Sequence, residues 1–208
     1  MSKPNIILIG AGGHAHACID VIEQQDEFQI AGLVGMPDEV EAKHFGYSVI
    51  AVDADLPELV KSYTHALVTV GQINSATARI SLYDKVAQLG FALPVVISPS
   101  AYVSKHAVIG EGTIVMHGAI VNAGAKVGKN CIVNSRALIE HDAAVGDHCH
   151  ISTGALVNGS VQIGQGCFVG SGSVLKDGIT LGSNCVIGMG LSVRHNQADK
   201  TQFTGRET

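Results

Sequence analysis

The side chains best suited to chemistry in this sequence are histidines, and six of the ten lie in its second half, at His106, His117, His141, His148, His150 and His195. His141 stands in Glu140-His141-Asp142. An imidazole beside carboxylates can be held in one tautomer, with its basicity raised for proton abstraction near neutral pH. A solvated corner histidine would show the same neighbours, so the triplet alone leaves both readings open. His150 follows nine residues on and is expected to point outward, and His117 and His148 read as surface residues. No Ser or Cys with a paired base is visible, which points away from a covalent intermediate. A second candidate is Gly10-Ala11-Gly12-Gly13-His14, where a glycine-rich turn could aim backbone N–H groups at an anion, or could simply be a tight turn. Leu33-Val34-Gly35-Met36 stands where NAD-binding folds carry an acidic residue for the ribose, which argues against NAD.

The elements that must carry the histidines are set by a period of six. From Val103 to Val193 an aliphatic residue returns at every sixth position sixteen times without an insertion. Two residues before it stands a small side chain, as at Ala119, Ala125, Cys131 and Ala137, and Gly or Asn recurs just after it. Period six does not fit 3.6 residues per turn, and Val, Ile and Gly are poor helix formers. Hexads of this kind predict a parallel β-helix, in which each repeat buries its apolar face only when neighbours stack on it. If three hexads make one coil, residues 18 apart stack, and Cys131, Cys149, Cys167 and Cys185 form one interior ladder. Buried cysteine acts as a small hydrophobe. Paired CxxC spacing is lacking, so no metal site is expected.

The first part of the chain reads differently. Residues 5–9 form an apolar strand before the glycine turn, and a helix is expected over 15–25. A second strand follows over 29–34, giving a β-α-β start of Rossmann type. Further expectations are a strand at 46–52, a short helix at 56–62, a strand at 65–70 and a helix at 75–89, capped by Asn74 and stopped by Gly90. After Val193 the periodicity dissolves into a polar tail that either caps the last coil or is disordered.

Composition narrows the class. With 46 % hydrophobic residues, 4 % aromatic residues, no Trp and 25 Gly, the chain suits thin stacked coils. A net charge of −5 argues against a nucleic-acid binder. The early glycines interrupt the N-terminal apolar run too soon for a signal core or a span, so a cytoplasmic protein with reduced thiols and no membrane partner is expected.

Taken together, GAGGH at 10–14, Gly71, Ser98-Pro99-Ser100-Ala101, the hexads, IEHD at 139–142 and HISTGA at 150–155 carry a resemblance over about residues 4–196. The chain resembles the bacterial sugar O- and N-acyltransferases of the sialic acid O-acetyltransferase and bacillosamine-pathway type. That resemblance implies an α/β Rossmann-like sugar-nucleotide-binding domain over 1–94, a left-handed parallel β-helix over 95–196 and a tail over 197–208. It implies acetyl-CoA as co-substrate and transfer to the 4-amino group of a nucleotide-linked deoxy sugar, with UDP as the expected nucleotide. In this reading His141 is the general base, oriented by Asp142. His150 and Gly159 lie near the acetyl end of acetyl-CoA, with Ser171 and the Gly188-Met189-Gly190 segment further along the pantetheine groove. Gly12, Gly13, His14, Val34, Gly35 and Gly71 face the sugar nucleotide. A homotrimer is implied, with CoA between adjacent β-helices. The residue types agree with direct transfer, for a backbone N–H near Gly159 could serve the tetrahedral oxyanion.

Two departures stand out: Gly35-Met36-Pro37 precedes Asp38 and Glu39 where an acidic pair is usual, and the tail lacks the Gly-x-Pro-Ala element. O-acetylation of a sialic acid or a related sugar hydroxyl remains the alternative acceptor chemistry. More distant readings are a metal hydratase of the γ-carbonic-anhydrase kind using His117 and His141, and a non-enzymatic structural or nucleotide-sensing trimer.

Overall fold

The computed structural model describes residues 3–205, so Met1 and Ser2 of the expected head and Arg206 to Thr208 of the expected tail lie outside the described residues. The head consists of β1 (Asn5–Ile9), α1 (Gly13–Gln25), β2 (Gln29–Gly35), β3 (Lys43–His44), β4 (Tyr47–Val52), α2 (Leu56–Leu59), β5 (His65–Val68) and α3 (Thr77–Gln88). Its sheet has the order β3-β4-β2-β1-β5, parallel except for the β3–β4 pair. The alternation of continuous apolar strands with helices dictates this arrangement, since parallel strands must be covered on both faces.

Three local expectations are corrected. The two-residue strand β3 is absent from the sequence reading, because nothing in Lys43-His44 marks a strand until Phe45 and Gly46 turn back at φ 49° and 94°. Helix α1 begins at Gly13, two residues earlier than expected. Asn74 does not cap α3: the helix starts at Thr77, and the Ser75 hydroxyl accepts the Thr77 N–H at 3.2 Å instead.

From Val96 onward the chain winds as a parallel β-helix of two-residue strands in three sheets. Residues 18 apart pair throughout, as Ile120 with Leu138 and Leu138 with Leu156. The second residue of each strand points inward, and the buried column from Val115 to Val193 is the hexad position of the sequence. Between strands the chain must turn about every sixth residue. It does so with positive φ at fourteen successive corners from Gly112 to Gly190, where Gly and Asn are the cheapest residues. The cysteine ladder is buried as expected and is also hydrogen bonded. Each sulfur accepts the N–H of the next cysteine at 3.3–3.4 Å, and the hydroxyl of Thr113 begins the series at 2.9 Å from the Cys131 nitrogen.

The three faces differ in what their outward residues meet. One face begins with Val96, Ile114, Ile132, His150, Phe168 and Val186, and the head lies on it. There Ile114, Met116 and Ile132 share one buried cluster with Ala15, Cys18, Ile19 and Ile22 of α1. A second face presents Tyr102, Ile120, Leu138, Leu156, Val174 and Ser192, an apolar row with Tyr102 59 % and Ile120 38 % exposed. The third presents Val108, Lys126, Ala144, Gln162 and Thr180 and is mixed. The tail caps the last coil: Gln202–Phe203 pairs with Val186–Ile187, and Asp199 accepts the Ser183 N–H at 2.8 Å. No helix among the described residues is long and apolar enough to cross a membrane.

Because Ile132 points out of its coil yet is completely buried under α1, Ile132→Ala is expected to cost about 2–4 kcal/mol. In calorimetry this is a fall in Tm of about 5–15 °C. Val108→Ala, at a residue 62 % exposed on the mixed face, is the control and should shift Tm far less. Equal shifts would remove the head–helix seam from the core.

Candidate active site

His141 lies on the corner between the open apolar face and the mixed face, after Leu138–Ile139 and before Ala144–Val145. Asp142 occupies the corner's left-handed position at φ 59°. The turn brings its carboxylate back onto the ring, where Oδ2 is 3.0 Å from His141 Nδ1. A carboxylate only accepts, so Nδ1 carries the proton and Nε2 is left as the basic nitrogen. The His141 backbone N–H donates to Glu140 Oε2 at 3.0 Å. The hydrogen bond to Asp142 raises the pKa of His141 above 6.5 against some desolvation, and the charges of Asp142, Glu140 and Asp177 add to the rise.

One coil onward the imidazole rests on Gly159. A Cβ there would stand 2.7 Å from His141 Nε2, so the glycine is required by the ring and not by its backbone angles. Asp177 and His195 continue the same 18-residue edge. Beside that edge, a groove of about 640 Å³ on the open face is lined by residues that include Asn158, Lys176, Asp177, Arg194 and His195.

Gly12, Gly13, His14, Val34, Gly35 and Gly71 all line one cleft of about 510 Å³ in the head, together with Glu39, Asp53 and Thr69. The turn that opens it is pinned at Gly10, whose φ is +119°. Its N–H donates to the Val34 carbonyl at 2.8 Å, and its own carbonyl accepts Thr69 Oγ1 at 2.7 Å. Helix α1 then presents its first turn to the cleft with no side-chain cap and no acidic residue. His14 is pushed down to about 3, chiefly by burial and then by Arg79 and His150, so its ring is neutral.

The remaining candidates sit elsewhere. His150 does point out of its coil, but it is buried beneath the head. Its Nδ1 donates to the Gln72 carbonyl at 2.7 Å and its Nε2 accepts from Asn134 at 3.1 Å. Burial pushes its pKa down to about 4. Ser171, bonded to Ser152 at 2.9 Å, and Met189, 77 % exposed, lie 18 residues apart on the corner between the head face and the open face. Within one chain, therefore, the two edges of the open face carry His141 with Gly159 and Ser171 with Met189, and His150 keeps company with the head cleft.

One surface reading is corrected and one is refined. His148 is buried, edge-on to Tyr83 at 5.5 Å between ring centroids, because α3 packs over its corner. His117 has both ring nitrogens engaged, with Ser98 at 2.7 Å and Asp20 of α1 at 2.7 Å. Neither is a free surface group, and His117 is no open metal ligand. Sequence reasoning missed Asp177, which the 18-residue register would have found. It also missed Gln72 and Arg79, for which no local signal exists.

An NMR titration of His141 should give a midpoint above 6.5 in the wild type. In Asp142→Asn, where the raising partner is lost, the midpoint should fall. Gly159→Ala should shift the ring resonances without unfolding the protein. An unchanged midpoint in Asp142→Asn would break the His141–Asp142 pair.

Residues 5–86 match the PglD N-terminal domain, 106–141 the bacterial transferase hexapeptide (six repeats) and 160–194 the hexapeptide repeat of succinyl-transferase. No curated protein sequence matches the chain. Among solved structures, PerB from Caulobacter crescentus, in complex with CoA and GDP-perosamine, is similar at 30 % identity and a TM-score of 0.87, over 95 % of this chain and 92 % of that one. The acetyltransferase domain of PglB from Neisseria gonorrhoeae, in complex with acetyl coenzyme A, is similar at 30 % identity and a TM-score of 0.87, over 96 % and 95 %. WeeI from Acinetobacter baumannii, at 20 % identity and a TM-score of 0.73 over 94 % of each chain, shares the fold. With its head, its hexads and nearly the whole length of 30 % identical relatives matched, the chain belongs to the bacterial sugar acyltransferases that join a PglD-type N-terminal domain to a left-handed β-helix of hexapeptide repeats.

Proposed function

We propose that the protein transfers an acetyl group from acetyl-CoA to the 4-amino group of a nucleotide-linked deoxy sugar, with His141 as general base. The observation that carries this reading is the His141 ring, held by Asp142 over Gly159 with Nε2 unencumbered. Relatives of 30 % identity bind CoA and GDP-perosamine in one case and acetyl coenzyme A in another, which supports the substrate classes. In the proposed reaction the amine nitrogen attacks the thioester carbonyl and loses a proton to Nε2. Asp142 accepts the Nδ1–H and stabilises the imidazolium. A backbone N–H near Gly159 serves the oxyanion. Collapse of the tetrahedral adduct expels the CoA thiolate, which recovers the proton from His141.

The sugar nucleotide would lie in the head cleft on the first turn of α1, with Gly12, Gly13, His14, Val34, Gly35 and Gly71 as its walls. For the base, UDP is the expectation from the resemblance. GDP is a second reading, favoured by the cleft carboxylates of Glu39 and Asp53. Guanine offers them adjacent N–H donors, whereas the single N–H of uracil is flanked by carbonyl oxygens.

The head cleft and His141 lie across the β-helix from each other, so one chain alone does not complete the site. A homotrimer packed through the apolar open faces would set the His141–Gly159 edge of one chain against the Ser171–Met189 edge of the next. The acetyl and pantetheine groups would then lie between His141 and Gly159 of one protomer and Ser171 and Met189 of the partner subunit, while His150, expected near the acetyl end, would instead serve from beneath the head.

Thiol release from acetyl-CoA is the test, against UDP-, GDP- and dTDP-linked 4-amino sugars with free sialic acid as the hydroxyl acceptor. Turnover is expected on one amino sugar and is expected to fall about two to four decades in His141→Ala. The acid limb of kcat/KM should lie above 6.5, since the base must be unprotonated, and should move to lower pH in Asp142→Asn. Leu138→Glu, on the open face, should give monomers without activity. Active monomers would overturn the shared site, and turnover on sialic acid alone would overturn the amino acceptor.

A further inference from the structure

The head cleft poses an electrostatic problem. Among the described residues its lining includes Glu39 and Asp53 but no lysine or arginine, and His14 is neutral. A nucleotide sugar carries two negative charges on its diphosphate. The first turn of α1 supplies a partial positive charge, commonly worth a fraction of a kcal/mol at an exposed site, and two carboxylates oppose it.

The compensating charge lies behind the wall. Arg79 of α3 is 1 % exposed. Its Nη1 donates to the carbonyls of Val68 at 2.7 Å and Val70 at 2.8 Å, and its Nε to the carbonyl of Asn130 at 3.2 Å. Those first two carbonyls flank Thr69, and Thr69, Val70 and Gly71 form one side of the cleft. All three acceptors are neutral. Among the described residues Arg79 Nη2 has no partner, and neither has Oδ1 of Asn130, the residue whose backbone carbonyl holds Nε. A buried arginine is ordinarily paired with a carboxylate, because an uncompensated buried charge is costly. Here the charge is kept, desolvated and unpaired, close enough to the cleft for its field to help hold His14 neutral.

We propose that Arg79 is the fixed positive charge that offsets the diphosphate of the nucleotide sugar, acting through the cleft wall as a positioning residue without touching the ligand. The proposal rests on reading the head cleft as the nucleotide-sugar site. Burial at Arg79 serves the purpose, since a charge shielded from water and salt acts at a lower effective dielectric than a surface lysine. It also leaves the wall free of a long side chain where the backbone must approach the phosphates.

The test compares binding of GDP and UDP with binding of guanosine and uridine by calorimetry, in wild type, Asn130→Asp and Arg79→Gln. Asn130→Asp is nearly isosteric, tolerates the left-handed φ of 52° at that corner, and puts a counter-charge beside the guanidinium. The wild type should prefer one diphosphate over its nucleoside. That preference should shrink about tenfold in both variants, the order expected for one charge acting through the wall across about 10 Å at an effective dielectric near 20. Binding of the nucleoside and of acetyl-CoA should hold. A purely structural role would weaken nucleoside and diphosphate together. Should Arg79→Gln fail to fold, Asn130→Asp decides by itself. A wild-type diphosphate preference that survives in the folded variants overturns the role of Arg79 alone, whereas a wild type with no such preference overturns the nucleotide-sugar reading along with it.

Discussion

Everything in this molecule depends on the backbone ladder that joins each residue to the one 18 positions later. The ladder sets every coil on its neighbour with the same three corners, and it takes positive φ at a fixed place in each hexad from Gly112 to Gly190. Once that geometry is accepted, the side chains cease to be independent. A residue at one corner must coexist with those directly above and below it. His141 can lie flat only because position 159 is glycine, and its acid partner is in place because position 142 must turn left-handed and aspartate tolerates that turn. The most chemically suggestive pair in the protein is thus a by-product of the need to turn a corner.

The same ladder distributes surface. Three faces of one prism carry three outward rows, and each row meets a different environment. The row with Ile114 and Ile132 is covered by α1, and a continuous cluster runs from the head sheet through the helix to the coils. The apolar row from Tyr102 to Val174 is left open. Exposed apolar area of this kind, flanked by two edges that carry candidate catalytic and acyl-binding residues, is where a second copy of the chain would bury most.

Between head and coils the contact is polar as well as apolar, and the polar part is under-satisfied. Among the described residues, Gln72, Arg79 and Asn130 each keep one buried atom without a partner. Buried polar atoms are usually paired, so their concentration beside the head cleft marks that seam as more than packing. His148 and His150, which sit in it, owe their lowered basicity first to burial there.

How much was legible follows from the range of the interactions. The hexad register, the inward column, the cysteine ladder and the separation into a βαβ head and a coiled body are properties of spacing, and spacing is written in the chain. The Glu140-His141-Asp142 corner could be found for the same reason, since its groups are adjacent. The grouping of Gly12, Gly13 and His14 with Val34, Gly35 and Gly71 came from the family resemblance, and the cleft that joins them comes from β1, β2 and β5 being neighbours. Asn74 is not the cap, since α3 starts only at Thr77, and His148 is buried and His117 engaged by Asp20 because the sequence does not say which face the head will cover. Arg79 was invisible: on a helix of mixed polarity an arginine reads as solvent-facing, and only the docking of α3 on the Asn130 corner buries it. Local repetition determined the coils and the histidine corner, because backbone stacking repeats wherever the spacing does. Only the tertiary structure decided which face is covered, which histidines are buried and where the uncompensated charge lies, because these follow from contacts between segments far apart in the chain.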